Sequence, residues 1–448
     1  MLLRKEKDGI KMTESTKLEI NEKNHLVIGG CDCVDLAREY GTPLYVMDET
    51  VIRDNMRMYK NAMDKYYGGN GLVLYASKAF CTLAVCKIAH QEGLGLDVVS
   101  GGELFTAIKA GFPMDKVYFH GNNKTPKELS EAIDANIGRI IVDNIHELKL
   151  INRIAGEKGK CMKISFRVKP GVDAHTHDFV QTGRIDSKFG VALENGEAFE
   201  FVAMAKKMSN VELVGVHCHI GSQIFDLEPF DVAAHIMLGF IVDIKKRYGV
   251  DIRELNLGGG FGIKYTENDD PIEYESYVSS VSKTVKKMCL ENGIEQPYML
   301  MEPGRSIVAP AGITLYTAGS VKDIKNVRKY VAIDGGMFDN PRYALYQSRY
   351  TVMLANKAKA PLTEIVTVAG KCCESGDLIA KDTKMPKVKS GDIVTVLATG
   401  AYNYSMSMNY NRNGRPPVVL VKDGRSRVIV KREDYADIIR NDVMPADL

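Results

Sequence analysis

The chain has 448 residues, with 59 Lys and Arg against 57 Asp and Glu and a formal net charge of +2. That balance gives no electrostatic footprint for nucleic acid or an anionic membrane, and 45% hydrophobic with 26% charged residues excludes disordered and fibrous classes for the bulk of the chain. The most continuous apolar stretches, such as Ile236 to Val242, fall far short of the roughly 20 residues of a spanning helix, so no transmembrane segment is expected.

Met1 to Ile20 mixes Lys, Glu and Asp and lacks the apolar core of a signal peptide. Residues 1–24 read as a flexible tail on a cytoplasmic protein. The nine cysteines form no repeating framework, which predicts reduced thiols. No pair has the two-residue spacing of a cysteine zinc site, so no metal is expected from them.

From about residue 72 to 305, short β-rich runs alternate with segments of helical periodicity, the pattern of a parallel sheet with crossover helices. Eight runs are read: Leu72 to Ala76, Leu96 to Val99, Val117 to His120, Ile140 to Asp143, Lys163 to Val168, Leu213 to His219, Glu254 to Leu257 and Tyr298 to Glu302. Eight such units over about 230 residues predict an α/β (β/α)₈ barrel of the TIM type. After about residue 310 the pattern turns all-β: Tyr330 to Ile333, Glu364 to Val368, Asp392 to Leu397 and Val418 to Val421, with Asp423-Gly424 as a hairpin signal. Leu26 to Val46 is also strand-like. The expected layout is therefore a barrel over 48–309 and a discontinuous β-rich domain from 25–47 and 310–448.

Active sites of such barrels lie at the C-terminal ends of the strands. The residues there are unusually polar: Lys78, Ser100-Gly101-Gly102, His120-Gly121-Asn122, Asp143-Asn144, Pro170 to His175, His219 to Ser222, Gly258-Gly259-Gly260, and Glu302 to Arg305. Lys78 can form a Schiff base if desolvated, or be a solvated helix-start residue. The glycine triplet allows backbone N–H groups near a phosphate that Arg305 could clamp, or is simply a turn; Ile263 in place of a third glycine excludes the dinucleotide fingerprint. Glu302 suits the ring nitrogen of a pyridine cofactor, or a structural ion pair. His219 could stack on a flat ring or fill the core.

The stretches YASKAF, GLDVVSGGEL, FHGNNK, HTHDFVQTGRIDSKFG, HCHIGSQI, LGGGFGI, EPGRSIVA, CCESGD and GAYNYSMSMNYN occur in this order. Together they closely resemble the pyridoxal-phosphate-dependent diaminopimelate decarboxylases of the alanine-racemase-like barrel group, from about residue 25 onward. The resemblance implies conversion of meso-2,6-diaminopimelate to L-lysine and CO₂, the last step of lysine biosynthesis. It implies that Lys78 forms the internal aldimine with pyridoxal 5'-phosphate, that His219 stacks on the ring, and that Glu302 faces the pyridinium nitrogen. Ser222, Gly258, Gly259, Gly260, Arg305 and Tyr402 would hold the phosphate. It also implies a homodimer with shared sites, in which Cys373 of the partner subunit donates the proton and Glu374 contacts substrate. Cys372 would be a packing neighbour. Arg342 and Arg305, with Tyr346 and Tyr402, would bind the substrate, the arginines taking its distal carboxylate. Tyr343 departs from the proline usual in the family.

A rival reading takes His175-x-His177 and His217-x-His219, with Asp173 and Asp334, as ligands of a metal-dependent barrel hydrolase. It needs neither Lys78 nor the glycine triplet and explains two of the nine motifs.

Overall fold

The computed structural model describes residues 17–172 and 187–448. The chain divides into two compact units: Arg53–Ile263 with Asp270–Ile307, and residues up to Ile52 with Lys264–Asp269 and Val308–Leu448.

The first unit is a closed barrel of parallel strands: β1 (Gly71–Ala76), β2 (Gly95–Val98), β3 (Val117–Phe119), β4 (Arg139–Val142), β5 (Met162–Lys169), β6 (Val211–His217), β7 (Glu254–Asn256) and β8 (Tyr298–Met301). Each pairs with the next, and β8 closes on β1 through Met299↔Gly71, Leu300↔Leu72 and Met301↔Val73. The expected barrel is thus present. Its strands stop one or two residues short of several expected ends, although the His120 N–H still donates to the Val98 carbonyl at 2.8 Å and the Glu302 N–H to the Gly258 carbonyl at 2.7 Å.

Strands buried on both faces need apolar side chains throughout. Leu74, Tyr118, Ile141 and Leu300 fill part of the interior, with Leu72 and Tyr298 against them. Near the strand starts, Arg139 on β4 makes a forked pair with Glu254 on β7, Nε lying 3.1 and 2.9 Å from the two carboxylate oxygens. Charge is therefore neutralised at that end. Side-chain caps start the helices cleanly: Thr82, Ser100, Thr125 and Asn144 each accept an N–H from the first turn of the helix that follows.

The second unit is mostly antiparallel sheet. Its strands run in the order Leu378–Met385, Glu364–Ala369, Arg328–Ile333, Gly312–Ile324, Leu44–Asp48, Val418–Lys422 and Arg425–Val430. Leu44–Asp48 pairs antiparallel with Gly312–Ile324 and parallel with Val418–Lys422, so the sheet draws on both ends of the chain. The Asp423-Gly424 hairpin is present, with φ of 50° and 73° at its two central residues. Leu26, Ile28, Leu44, Val46, Leu315, Val419 and Val421 lie in its core.

Two expectations are corrected here. Residues 17–24 do not belong to a tail: Glu19–Ile20 pairs with Leu26–Ile28, and Leu18 is buried in the core, because its apolar side chain has a surface to cover. Leu26 to Val46 is not continuously strand-like either. Cys33–Tyr40 is a helix, started by the Asp32 carboxylate, which accepts the Val34 N–H, and Cys33, Leu36 and Ala37 form its buried stripe.

Candidate active site

Glu302 follows β8 and is 7% exposed. Its N–H donates to the Gly258 carbonyl at 2.7 Å, tying it to the loop after β7. The side chain of Asn256 donates to Oε1 at 2.7 Å. His217 Nε2, at the end of β6, lies 3.2 Å from Oε2, and His120 Nε2, just past β3, lies 2.9 Å from Oε1. The two imidazoles meet edge to face with centroids 4.8 Å apart. Burial opposes ionisation of Glu302, but His120 and His217 overcome it and hold the carboxyl well below its usual range. Burial also drives His217 down to about 4 against the pull of Glu302, so this ring is neutral near pH 7. Because a carboxylate only accepts, the His217 proton sits on Nε2. Beyond His120, burial pushes Asp97 upward, and Arg167 on β5 sets a buried guanidinium whose charge acts with Asp143, Glu302 and Asp97.

The other expected barrel residues collect at the same strand ends. Arg305 donates from Nη2 to Ser222 Oγ at 2.9 Å. Gly258 and Gly260 have φ of +67° and +119°, and a Cβ on Gly259 would stand 2.1 Å from the Glu302 carbonyl oxygen, so the triplet is glycine for close backbone approach. Two of its N–H groups are used inside the protein: Gly258 donates to Asn256 Oδ1 at 2.9 Å and Gly259 to His219 Nδ1 at 3.3 Å. Accepting at Nδ1 leaves the His219 proton on Nε2. Burial and the charge of Lys78 push His219 well below its ordinary value, so it is a neutral flat ring. Lys78 sits in the single turn Ser77–Ala79 directly after β1. Glu103 fixes this turn by accepting from Ser77 Oγ at 2.9 Å and from the Val99 N–H at 2.7 Å.

The set fits a phosphorylated pyridine. Arg305 and Ser222 form a cationic, hydrogen-bonding seat for a phosphate, His219 is an uncharged planar face, Lys78 is an amine, and Glu302 is an ionised acceptor for a ring N–H.

The sheet unit carries the remaining expected residues. Arg342 is 8% exposed. Its Nε donates to Tyr350 Oη at 2.8 Å and its Nη2 to Ser348 Oγ at 3.3 Å. Tyr346 and Tyr402 place their rings 5.5 Å from its guanidinium carbon and Tyr265 places its ring 5.9 Å away. Tyr343, the departure from the family pattern, is buried in the same short helix, Arg342–Tyr346. Cys373 and Glu374 are exposed in the loop between Glu364–Ala369 and Leu378–Met385. Cys372 is buried as expected, and its N–H donates to Asp377 Oδ2 at 2.7 Å.

Asn256, Asp97 and Arg167 were not singled out as site residues by sequence reasoning, and His120 and His217 entered it only as a polar strand end and in the rival metal reading. The available signal was their position in or next to the ends of barrel strands; what joins them to Glu302 is closure of the barrel. The rival metal reading places His175, His177 and Asp173 outside the described residues. His219 is engaged by the Gly259 N–H, while Asp334 is in the sheet unit, where it accepts from the Thr317 N–H. Among the described residues, a metal-like grouping is formed instead by His120, His217 and Glu302, whose polar contacts with one another need no ion.

Comparison with known proteins agrees with this geometry. The family model for the pyridoxal-dependent decarboxylase, pyridoxal binding domain, matches residues 50–309. The diaminopimelate decarboxylase of Bacillus methanolicus is 52% identical over 93% of this chain and 96% of its own length. That of Bacillus subtilis is 47% identical over 94% and 96%. The crystal structure of diaminopimelate decarboxylase from M. jannaschii in complex with L-lysine superposes with a TM-score of 0.91 at 38% identity, covering 97% of this chain and 99% of that one. The chain belongs to the diaminopimelate decarboxylases, a family of pyridoxal-phosphate-dependent carboxy-lyases.

Proposed function

We propose that this chain decarboxylates meso-2,6-diaminopimelate to L-lysine and CO₂ as a cytoplasmic homodimer with shared sites. The observation that carries the reading is the ionised Glu302, held by His120, His217 and Asn256 at the end of β8. Bound pyridoxal phosphate supplies the electron sink for the pair released when the carboxylate leaves as CO₂.

The residues of the chain do the rest. Lys78 is the amine that holds the cofactor, and Glu302 accepts the ring N–H and so favours the protonated ring. His219 packs against the ring face. Arg305, Ser222, the glycine triplet Gly258 to Gly260 and Tyr402 hold the phosphate. Arg342, Arg305, Tyr346 and Tyr402 bind the substrate, the arginines pairing with its distal carboxylate and Glu374 with the distal ammonium. Cys373 of the partner subunit delivers the proton to the carbon that lost CO₂, a task suited to a thiol with a free pKa of about 8.5.

The test is an absorbance spectrum before and after adding meso-diaminopimelate, with CO₂ and lysine followed in the same sample. A visible band that shifts on addition, with both products formed, is expected; a coloured protein silent with this substrate refutes the specificity assigned to Arg342. Mixing inactive Lys78→Ala with inactive Cys373→Ala subunits should restore partial activity. No recovery in dimers shown to have exchanged refutes site sharing.

A further inference from the structure

The loop that carries Cys373 is held from two sides. Asp377, 2% exposed, accepts the Cys372 N–H at 2.7 Å and the Met337 N–H at 2.6 Å. Its own carbonyl accepts the Gly370 N–H at 2.9 Å, closing the base of the loop. Cys372 is buried at the loop base, where burial and the Asp377 charge push its thiol up to about 12. The chain then turns, with the Glu374 N–H donating to the Cys372 carbonyl at 2.8 Å.

The N–H of Cys373 itself is bound from outside the loop. It donates to Asn411 Oδ1 at 2.8 Å, across 38 positions of sequence. Asn411 has φ 51° and ψ 29°, the left-handed region that Asn tolerates better than other side chains with a Cβ. The segment around it is itself braced: the Arg412 N–H donates to the Asn409 carbonyl at 2.9 Å, the Asn409 side chain to the Asn413 carbonyl at 3.0 Å, and the Met408 N–H to the Phe338 carbonyl at 2.8 Å. The peptide between Cys372 and Cys373 is thus clamped at each residue by a side-chain oxygen, one thiol turned in and the other left exposed.

We propose that Asn411 is a positioning residue for proton delivery: by holding the Cys373 N–H it fixes the direction from which the Cys373 thiol reaches the carbon that lost CO₂. This rests on the assignment of Cys373 as the proton donor. The atoms balance simply, since the thiol proton forms the new C–H bond and solvent restores the thiol.

The experiment compares Asn411→Gly, which keeps the backbone conformation and removes the acceptor, with Asn411→Asp, which keeps an acceptor at the same place. A misplacement of about 1 Å costs about 10²-fold in rate, so Asn411→Gly is expected to lower kcat about 10- to 100-fold with KM little changed. In deuterated water the parent should place deuterium on one face of the new carbon–hydrogen centre of lysine, and Asn411→Gly should scramble it. Hydrogen exchange read by mass spectrometry should show one additional fast amide in the peptide spanning 371–377, with or without cofactor. Asn411→Asp should restore all three readouts. If Asn411→Gly fails to fold, Asn411→Ser, whose oxygen is one atom shorter in reach, takes its place with the same expectations. Parental kcat and face selectivity in Asn411→Gly, or failure of Asn411→Asp to restore them, overturns the proposal. Cys373→Ala keeps the two ideas apart. If it leaves rate and face selectivity intact, the donor assignment itself falls; if it abolishes them while Asn411→Gly does not, only the positioning role falls.

Discussion

Replacing Glu302 by Gln changes one buried oxygen to an NH₂ and removes a charge, leaving shape nearly constant. In the parent, Oε1 faces the Asn256 amide and His120, while Oε2 faces His217 Nε2–H. A glutamine has one acceptor oxygen. In its better orientation the oxygen stays with Asn256 and His120, and the new NH₂ confronts the His217 N–H. His217 can escape only by moving its proton to Nδ1, an atom with no hydrogen-bond partner in this buried position. The variant loses the charge-assisted contact between His217 and the carboxylate, worth about 1.5–3 kcal/mol, so it should unfold at lower denaturant concentration. Catalysis should suffer more, because the charge facing the cofactor ring is lost: removing one preorganised electrostatic partner typically costs about 10²–10³ in kcat. The assay is steady-state CO₂ release over a range of meso-diaminopimelate, with the ring's spectral titration followed in parallel. Parental kcat and an unchanged ring titration in Glu302→Gln would refute the role given to this carboxylate.

Other outcomes follow from the same geometry. His217 is depressed from 6.5 to about 4, so the unfolded chain takes up this proton first as pH falls; stability should decline from about pH 6.5 to about pH 4 and flatten below. Glu302, also depressed, adds loss of the same sign at still lower pH. Denaturant midpoints measured across this range should show a shallower decline in His217→Gln; an identical slope would count against a buried neutral His217. Arg305→Ala removes a charge-assisted contact of about 1.5–3 kcal/mol, so cofactor affinity followed by absorbance should fall about 10- to 100-fold. Arg342→Met should raise KM for meso-diaminopimelate by a similar factor of about 10 to 100, whereas Tyr350→Phe, which removes the acceptor for Arg342 Nε and leaves the guanidinium in place, should give a smaller rise. Tyr350→Phe also removes the acceptor for the Asn403 side chain, 3.5 Å away, so its effect is read against Arg342→Met, in which an unchanged KM would separate this arginine from substrate binding.

The barrel was legible because each strand is a short β-rich run bounded by glycine or polar residues, and because the sites of such barrels gather where those runs end. The roles proposed for Lys78, His219, Glu302 and Arg305 come from that placement and from the motif order. The support around them did not. His120, His217 and Asn256 converge on Glu302 from three other strands, and no local pattern encodes which strand ends meet once the sheet closes. The Cys373–Asn411 contact, 38 positions apart, is equally invisible to periodicity. The short helix Cys33–Tyr40 was missed for a different reason: at 8 residues, entered directly from a two-residue strand, it offers too few turns for a 3.6-residue repeat to outweigh the β-branched and apolar residues on either side.

The strand Leu44–Asp48 sits between two partners that emerge late from the ribosome. About 370 residues separate it from Val418–Lys422, which at about 5–20 residues per second is a delay of roughly 20–75 s. Throughout that interval its backbone donors and acceptors on that side lack their native partner, and toward its end every strand of the barrel has been made. A chain cut short before Val418 would therefore carry a complete set of barrel strands beside an open sheet edge, the kind of edge that recruits other chains into aggregates. Truncation before Val418 should accordingly appear first as insolubility during expression and only secondarily as lost catalysis.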